Sequence, residues 1–123
     1  MEAPDNVEIV KQFQKVFQSG NLNALKELVA EDVVWEVSGT EDYPFAGRYH
    51  GFERLIQLFK LFSEVVADFE EYELEEYLPH DDKVIVFGRE RIRWFGGNIF
   101  ETRLIQVFTL HERKIIKFRE ARG

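Results

Sequence analysis

Cysteine is absent from the 123 residues, which removes disulfide frameworks, thiolate nucleophiles and zinc–cysteine sites together. Positive charge is in deficit. Lys and Arg number 16 against 23 Asp and Glu, a formal net charge of −7, with an isoelectric point near 5.0. Such a field repels phosphates and argues against a nucleic-acid partner. No apolar run approaches the roughly 18 residues of a membrane span, and the N-terminus lacks a basic region followed by a hydrophobic segment. No membrane role is expected, and the cytoplasm is the expected compartment. There is no internal repeat, linker, glycine-rich phosphate loop, nucleophile elbow or defensible Ser/His/Asp order. Histidines and carboxylates do not recur at metal-ligand spacing, so neither a metal nor a cofactor is expected.

What is present is a globular composition, 45% apolar and 32% charged, with phenylalanine in excess: 12 Phe against 4 Tyr and 2 Trp. A chain of 14.6 kDa exposes about 6,900 Å² of the roughly 21,000 Å² shown when unfolded. That is enough burial for one core, so residues 1–123 are expected to form a single domain. So many rigid apolar rings suit a large core or a core with a pocket in its middle.

Helical periodicity fills the first half and strand alternation the second. Residues 5–19 read as a helix with Val10, Phe13 and Phe17 on one stripe, an Asp5/Glu8 capping box and a Gly20 stop. A short second helix carries Leu22, Leu25, Leu28 and Val29 on one face, with Asn21 as its cap. Val33 to Val37 is a strand by composition. Ser38 to Gly51, with Gly39, Pro44 and Gly47, reads as a loop. A third helix runs from about Phe52 to Val66 and buries Leu55, Ile56, Phe59, Phe62 and Val66. Four strands follow, at about 69–78, 84–95, 99–110 and 114–121, with short antiparallel connections. The expected fold is α+β: three N-terminal helices on a strongly curved, mostly antiparallel sheet enclosing a cone-shaped pocket.

The faces of that sheet can be assigned. With 79–83 as a five-residue loop, residue 78 faces 84, Glu73 faces Arg89, Glu71 faces Arg91 and Glu75 faces Phe87. Opposite charges across an antiparallel pair contribute roughly 0.2–1 kcal/mol each. Arg89, Arg91 and Arg93 therefore read as a solvated or interface ladder. The other face holds Tyr72, Leu74, Leu78, Val84, Val86, Gly88, Ile92 and Trp94, with Glu90 among them beside Tyr72. A carboxylate there either lies at a frayed edge, pairs with an arginine, or serves a pocket. A three-residue loop at 96–98 sends Thr102, Leu104, Gln106 and Phe108 to the same face, whereas a two-residue Gly96-Gly97 turn sends Arg103, Ile105 and Val107 there instead. Keeping Arg103 out slightly favours the first. On the last strand Ile116 and Phe118 define an apolar face that Glu120 shares. Two carboxylates and an amide in an aromatic enclosure can do acid/base work. His80 and His111 fall at turns. His50, in Arg48-Tyr49-His50-Gly51, fits the surface better than a pocket rim.

One further pattern is specific. Phe17-Gln18-Ser19-Gly20-Asn21-Leu22, Leu28 through Trp35, Phe45-Ala46-Gly47-Arg48-Tyr49-His50-Gly51, and Gln106-Val107-Phe108 running into Ile115 through Glu120 recur in that order. In this the chain resembles the nuclear transport factor 2-like superfamily, in its SnoaL-like polyketide cyclase and ketosteroid isomerase-like branch. The resemblance implies the cystatin-like α+β roll, a small-molecule pocket and pairing of the outer sheet face with a second copy. It also implies that Gln106 faces the cavity. Ketosteroid isomerases use a tyrosine, an aspartate base and an acidic donor where Phe13, Val37 and Gln106 stand here, so that activity is not expected. SnoaL-like cyclases carry a histidine or aspartate where Gln106 stands. Glu120 takes the place of one aspartate of the epoxide hydrolase relatives, whose arginine–aspartate pair is not cleanly matched, and Glu112-Arg113 replaces the usual Asp-Gly turn.

The combined reading is a binder of a small apolar molecule, with Phe13, Trp35, Val37, Phe59, Tyr72, Trp94 and Phe108 lining the pocket. Any reaction would be cofactor-free, on an apolar carbonyl, epoxide or polyketide-like substrate. Glu120 or Glu90, its pKa raised by burial, would move the proton, and Gln106 would orient the substrate oxygen or a water. The alternative is a non-catalytic binding or homodimerisation module whose glutamates are structural.

Overall fold

The computed structural model describes residues 3–39 and 45–122, with the side chains at 3–5, 67–71 and 122 outside that description. Helix α1 spans Ala3–Ser19, so it starts before Asp5. The Asp5 side chain of the expected capping box lies outside the described residues, as does Pro44. The helix buries Ile9, Val10 and Phe13 and ends at Gly20, whose φ of +81° is open to glycine at no steric cost. The second helix is a 3-10 turn, Leu22–Glu27, and Asn21 makes no side-chain cap. Val29 already begins strand β1, Val29–Val37. Two α-helices and one 3-10 helix thus stand where three helices were expected.

The segment read as a loop contains a short strand, β2, Gly47–His50. It pairs antiparallel with β1, with Glu36 opposite Arg48 and a 3.0 Å ion pair joining those two. Four residues, the first of them Gly47 and the next after them Gly51, are too few to show alternation. Helix α2, Phe52–Val65, buries Leu55, Leu58 and Phe59. Ile56 and Phe62 of the expected stripe are only half-buried, and Val66 belongs to the next strand.

Strands β3 (Val66–His80), β4 (Lys83–Trp94), β5 (Ile99–His111) and β6 (Lys114–Arg122) form the meander. The six-stranded order is β2-β1-β6-β5-β4-β3, antiparallel except where β1 lies parallel to β6. The β3–β4 turn is tighter than expected, with His80 opposite Lys83. A bulge at Glu75 then absorbs one residue, so Leu74 faces Gly88, Glu73 faces Arg89 and Glu71 faces Arg91, while Glu76 rather than Glu75 faces Phe87. The price of the bulge is a flip beyond it. Leu78 is 42% exposed on the outer face, and Tyr77 packs against the core in its place.

The β4–β5 loop has three residues, Phe95-Gly96-Gly97, closed by the Trp94 N–H to Asn98 carbonyl bond at 2.9 Å. It sits one residue earlier than expected, so Glu90 pairs with Thr102, Gly88 with Leu104 and Val86 with Gln106. The parity is unchanged, and Leu104, Gln106 and Phe108 are buried on the inner face. Another irregularity, where β6 passes Leu110 of β5, puts Ile115, not Ile116, fully into the core. The outer face carries the charges. Arg89 donates to Glu73 at 2.9 Å, Arg91 lies 3.3 Å from Glu101, and Arg119 3.3 Å from Glu36. Arg91 and Glu71 share the expected backbone register, although the Glu71 side chain lies outside the described residues.

Candidate functional site

Between the helices and the inner sheet face lies a cavity of about 70 Å³, lined by residues of α1, α2 and five strands as well as Phe45. Its walls are rings. Trp35 on β1 stacks at 4.0 Å on Phe118 of β6, its register partner, and meets Phe59 of α2 edge-on at 5.7 Å. Phe13 lies 5.5 Å from Trp35, and Phe17 meets Phe59 edge-on at 4.9 Å. Such pairs contribute about 0.5–1.5 kcal/mol each beyond the area they bury.

The polar end is a hydrogen-bonded chain of four side chains. The Tyr72 hydroxyl donates to Gln14 Oε1 at 3.1 Å. Gln14 Nε2 donates to Gln106 Oε1 at 3.1 Å, and Gln106 Nε2 donates to Glu120 Oε2 at 3.0 Å. All three bonds run in one sense, from phenol to carboxyl, so each polarises the next. The direction also fixes both amides, because a flipped Gln106 would turn its oxygen toward the carboxyl oxygen of Glu120. Gln14 and Gln106 are buried, Glu120 is half-buried, and Glu90, 4% exposed, faces the cavity from β4. The Tyr72 ring is partly exposed while its hydroxyl is enclosed. Burial first, and then the negative charge of Glu120, push that hydroxyl well above the usual phenol range, so it stays a donor.

Of the expected site residues, Glu120, Glu90, Gln106, Phe13, Trp35, Val37, Phe59 and Tyr72 meet at this cavity. Two do not. Phe108 is fully buried one layer deeper, edge-on to Phe118 at 5.0 Å. Trp94 stacks on Phe45 at 5.5 Å and covers it from behind. Sequence reasoning missed Gln14, although it stands four residues after Val10 and three before Phe17, on the same helical face. Leu58 could have been found the same way, three residues after Leu55. Phe45 carried no periodic signal; it is held by the Tyr49 hydroxyl, which donates to its carbonyl at 3.0 Å. His50, His80 and His111 are exposed. Among the described residues no three His, Asp or Glu side chains gather as a metal site, and no helix is long and apolar enough to cross a membrane.

The architecture recurs in solved structures. An NTF2-like protein from Burkholderia xenovorans LB400 superposes with a TM-score of 0.91 at 28% identity, over 100% of this chain and 92% of that one. Bal32a, from a soil-derived mobile gene cassette, superposes with a TM-score of 0.87 at 27% identity, over 99% and 92%. TerC, co-crystallised with polyporic acid, shares the fold with a TM-score of 0.84 at 17% identity, over 97% and 92%. No curated protein sequence matches the chain. The family model described as SnoaL-like domain matches residues 10–118. With that match over nearly the whole chain, and with NTF2-like neighbours over all of it, this protein belongs to the SnoaL-like domain family of the NTF2-like superfamily.

Proposed function

We propose that the chain binds a small, mainly apolar molecule in the ring-lined cavity and acts on it by cofactor-free general acid/base chemistry. The observation that carries this reading is the placement of the Tyr72–Gln14–Gln106–Glu120 chain at the polar end of an otherwise aromatic cavity. Apolar walls with a few convergent polar groups are the usual form of a small-molecule site. The co-crystallisation of TerC with polyporic acid is consistent with such a use of this fold. Glu120 or Glu90 takes or returns the proton, and Gln106, its amide held from both sides, orients the substrate oxygen or a water. A cavity of about 70 Å³ is about half the ~150 Å³ that holds benzene. A cavity of this size admits a headgroup, and the body of a larger ligand reaches out past half-buried Phe17 and Phe62.

A ligand panel against the wild type, followed by turnover with Glu120→Gln and Glu90→Gln, tests this. Retained affinity with lost turnover is the expected result. If both variants only raise stability, the carboxyls are buried liabilities. One observation favours that second, non-catalytic reading: among the described residues no buried side-chain N or O atom lacks a hydrogen-bond partner, so the polar chain is complete without a ligand. The outer face, with its ion pairs and half-exposed Ile105 and Leu78, is the surface we assign to a homodimer. A monomeric wild type in sedimentation would end that assignment.

A further inference from the structure

An apolar track leads out of the cavity along α2. Leu58 and Phe62 belong to the cavity wall. Leu58, Leu61, Phe62 and Val65 stand at the i, i+3, i+4 and i+7 spacing of one helical face. Along that face burial falls away: Leu58 is buried, Phe62 and Val65 are half-buried, and Leu61 is 43% exposed. The track continues past the helix end. The Phe95 N–H donates to the Val65 carbonyl at 2.9 Å, which fastens the β4–β5 hairpin tip to the last turn of α2. Phe95 itself is 67% exposed. Behind it, Phe62 and Trp94 both pack on buried Phe45, at 4.8 and 5.5 Å. Single exposed apolar residues are ordinary; a file of them that starts in a cavity wall marks a binding surface.

Resting on the small-molecule reading above, we infer that the ligand carries a linear alkyl tail, which leaves the cavity past Leu58 and Phe62 and lies along α2 toward Phe95. A cavity of about 70 Å³ holds a polar head and little more, so the carbon skeleton continues outside it. From Leu58 to Val65 the helix rises about 10 Å, the span of a chain of roughly eight carbons. Each CH₂ laid on the track takes its own surface, and that of Leu61 and Phe95, out of water. A compact ring of the same carbon count is too short to touch both the cavity wall at Leu58 and the hairpin tip.

The test uses 1-butanol, 1-hexanol, 1-octanol and cyclooctanol. Each is titrated into the full chain while the Trp35 indole N–H resonance is followed by NMR. Affinity is expected to rise about two- to fourfold per CH₂, the upper figure being full burial, so 1-octanol binds roughly tenfold or more tighter than 1-butanol. Cyclooctanol falls roughly threefold or more short of 1-octanol. Leu61→Ser and Phe95→Ser, both at exposed positions, leave 1-butanol unchanged and each weaken 1-octanol about threefold. A flat alcohol series, cyclooctanol binding as tightly as 1-octanol, or variants that leave 1-octanol unchanged would each overturn the alkyl tail and leave the binding function intact. So would a wild-type dimer that Phe95→Ser splits in sedimentation, since this end would then be a subunit contact. If none of the four moves Trp35 at millimolar concentration, and no compound of the wider panel binds either, the small-molecule function falls with the tail.

Discussion

Replacing Gln106 with leucine removes the middle of the polar chain without changing side-chain bulk much. Two groups lose the partner that Gln106 supplies: Gln14 Nε2 and Glu120 Oε2. An orphaned buried polar group costs about 1–3 kcal/mol, more when it is charged. Glu120 is half-buried, so water recovers part of its bond, and the net expectation for Gln106→Leu is about 3 kcal/mol. Gln14→Leu removes the acceptor of the Tyr72 hydroxyl and the donor to Gln106 Oε1 and costs about the same. In the double variant only the two ends of the chain, Tyr72 and Glu120, lose their bond into it. That variant should therefore cost about 3 kcal/mol as well, rather than the roughly 6 of independent sites. Urea unfolding followed by tryptophan fluorescence, with equal slopes for all four proteins, reads this directly. For a chain of this length 1 kcal/mol is about 4 °C in Tm, so each single variant should melt roughly 12 °C lower. A double variant that equals the sum of the singles within about 0.5 kcal/mol would refute the shared chain.

Other consequences follow from the backbone. A Cβ on Gly88 would meet the Glu73 carbonyl oxygen at 2.5 Å and Leu74 Cδ2 at 2.9 Å; Gly88→Ala should cost about 1–3 kcal/mol, and an unchanged unfolding midpoint would show that the β3 bulge yields freely. Arg113 sits at φ +68° in the β5–β6 turn, so Arg113→Gly should gain about 1 kcal/mol, seen as a Tm roughly 4 °C higher; a lower Tm would contradict it. The Tyr72 phenol is held above its ordinary value by burial and by Glu120. Its contribution is whole below about pH 10 and is lost as pH rises further, because the unfolded chain gives up the proton first. Stability measured from pH 9 to 12 should fall less steeply in Tyr72→Phe. A residual slope should remain from Tyr77, whose phenol burial also pushes up, whereas an unaltered slope would show that Tyr72 ionises as freely folded as unfolded.

Much of the site was legible because each residue stood on a periodic element. Phe13 belongs to a helical stripe, Trp35 and Val37 to an alternating strand, and Glu90 and Gln106 to strands whose parity survived a displaced loop. Leu78 and Ile116 were misplaced for one reason, an extra residue in a strand, which exchanges the faces beyond it and leaves no mark in composition. The expectation that Trp94 and Phe108 line the cavity failed differently. Both lie on the correct face, but a sheet face has depth as well as side, and neighbouring rings decide which layer touches empty space.

By itself, then, the sequence determined what depends on nearest neighbours and on alternation: the α-to-β order, the four-stranded meander, the outer ion pairs and the inner position of Glu90. The family pattern added the inner position of Gln106. Tertiary structure alone decided the rest. Strand β2 exists because β1 offers it an edge. Gln14, 92 residues from Gln106 in the chain, reaches it only when α1 packs on the sheet. The cavity is a space that no single element encodes, because its volume is the difference between what the sheet and helices enclose and what their side chains fill.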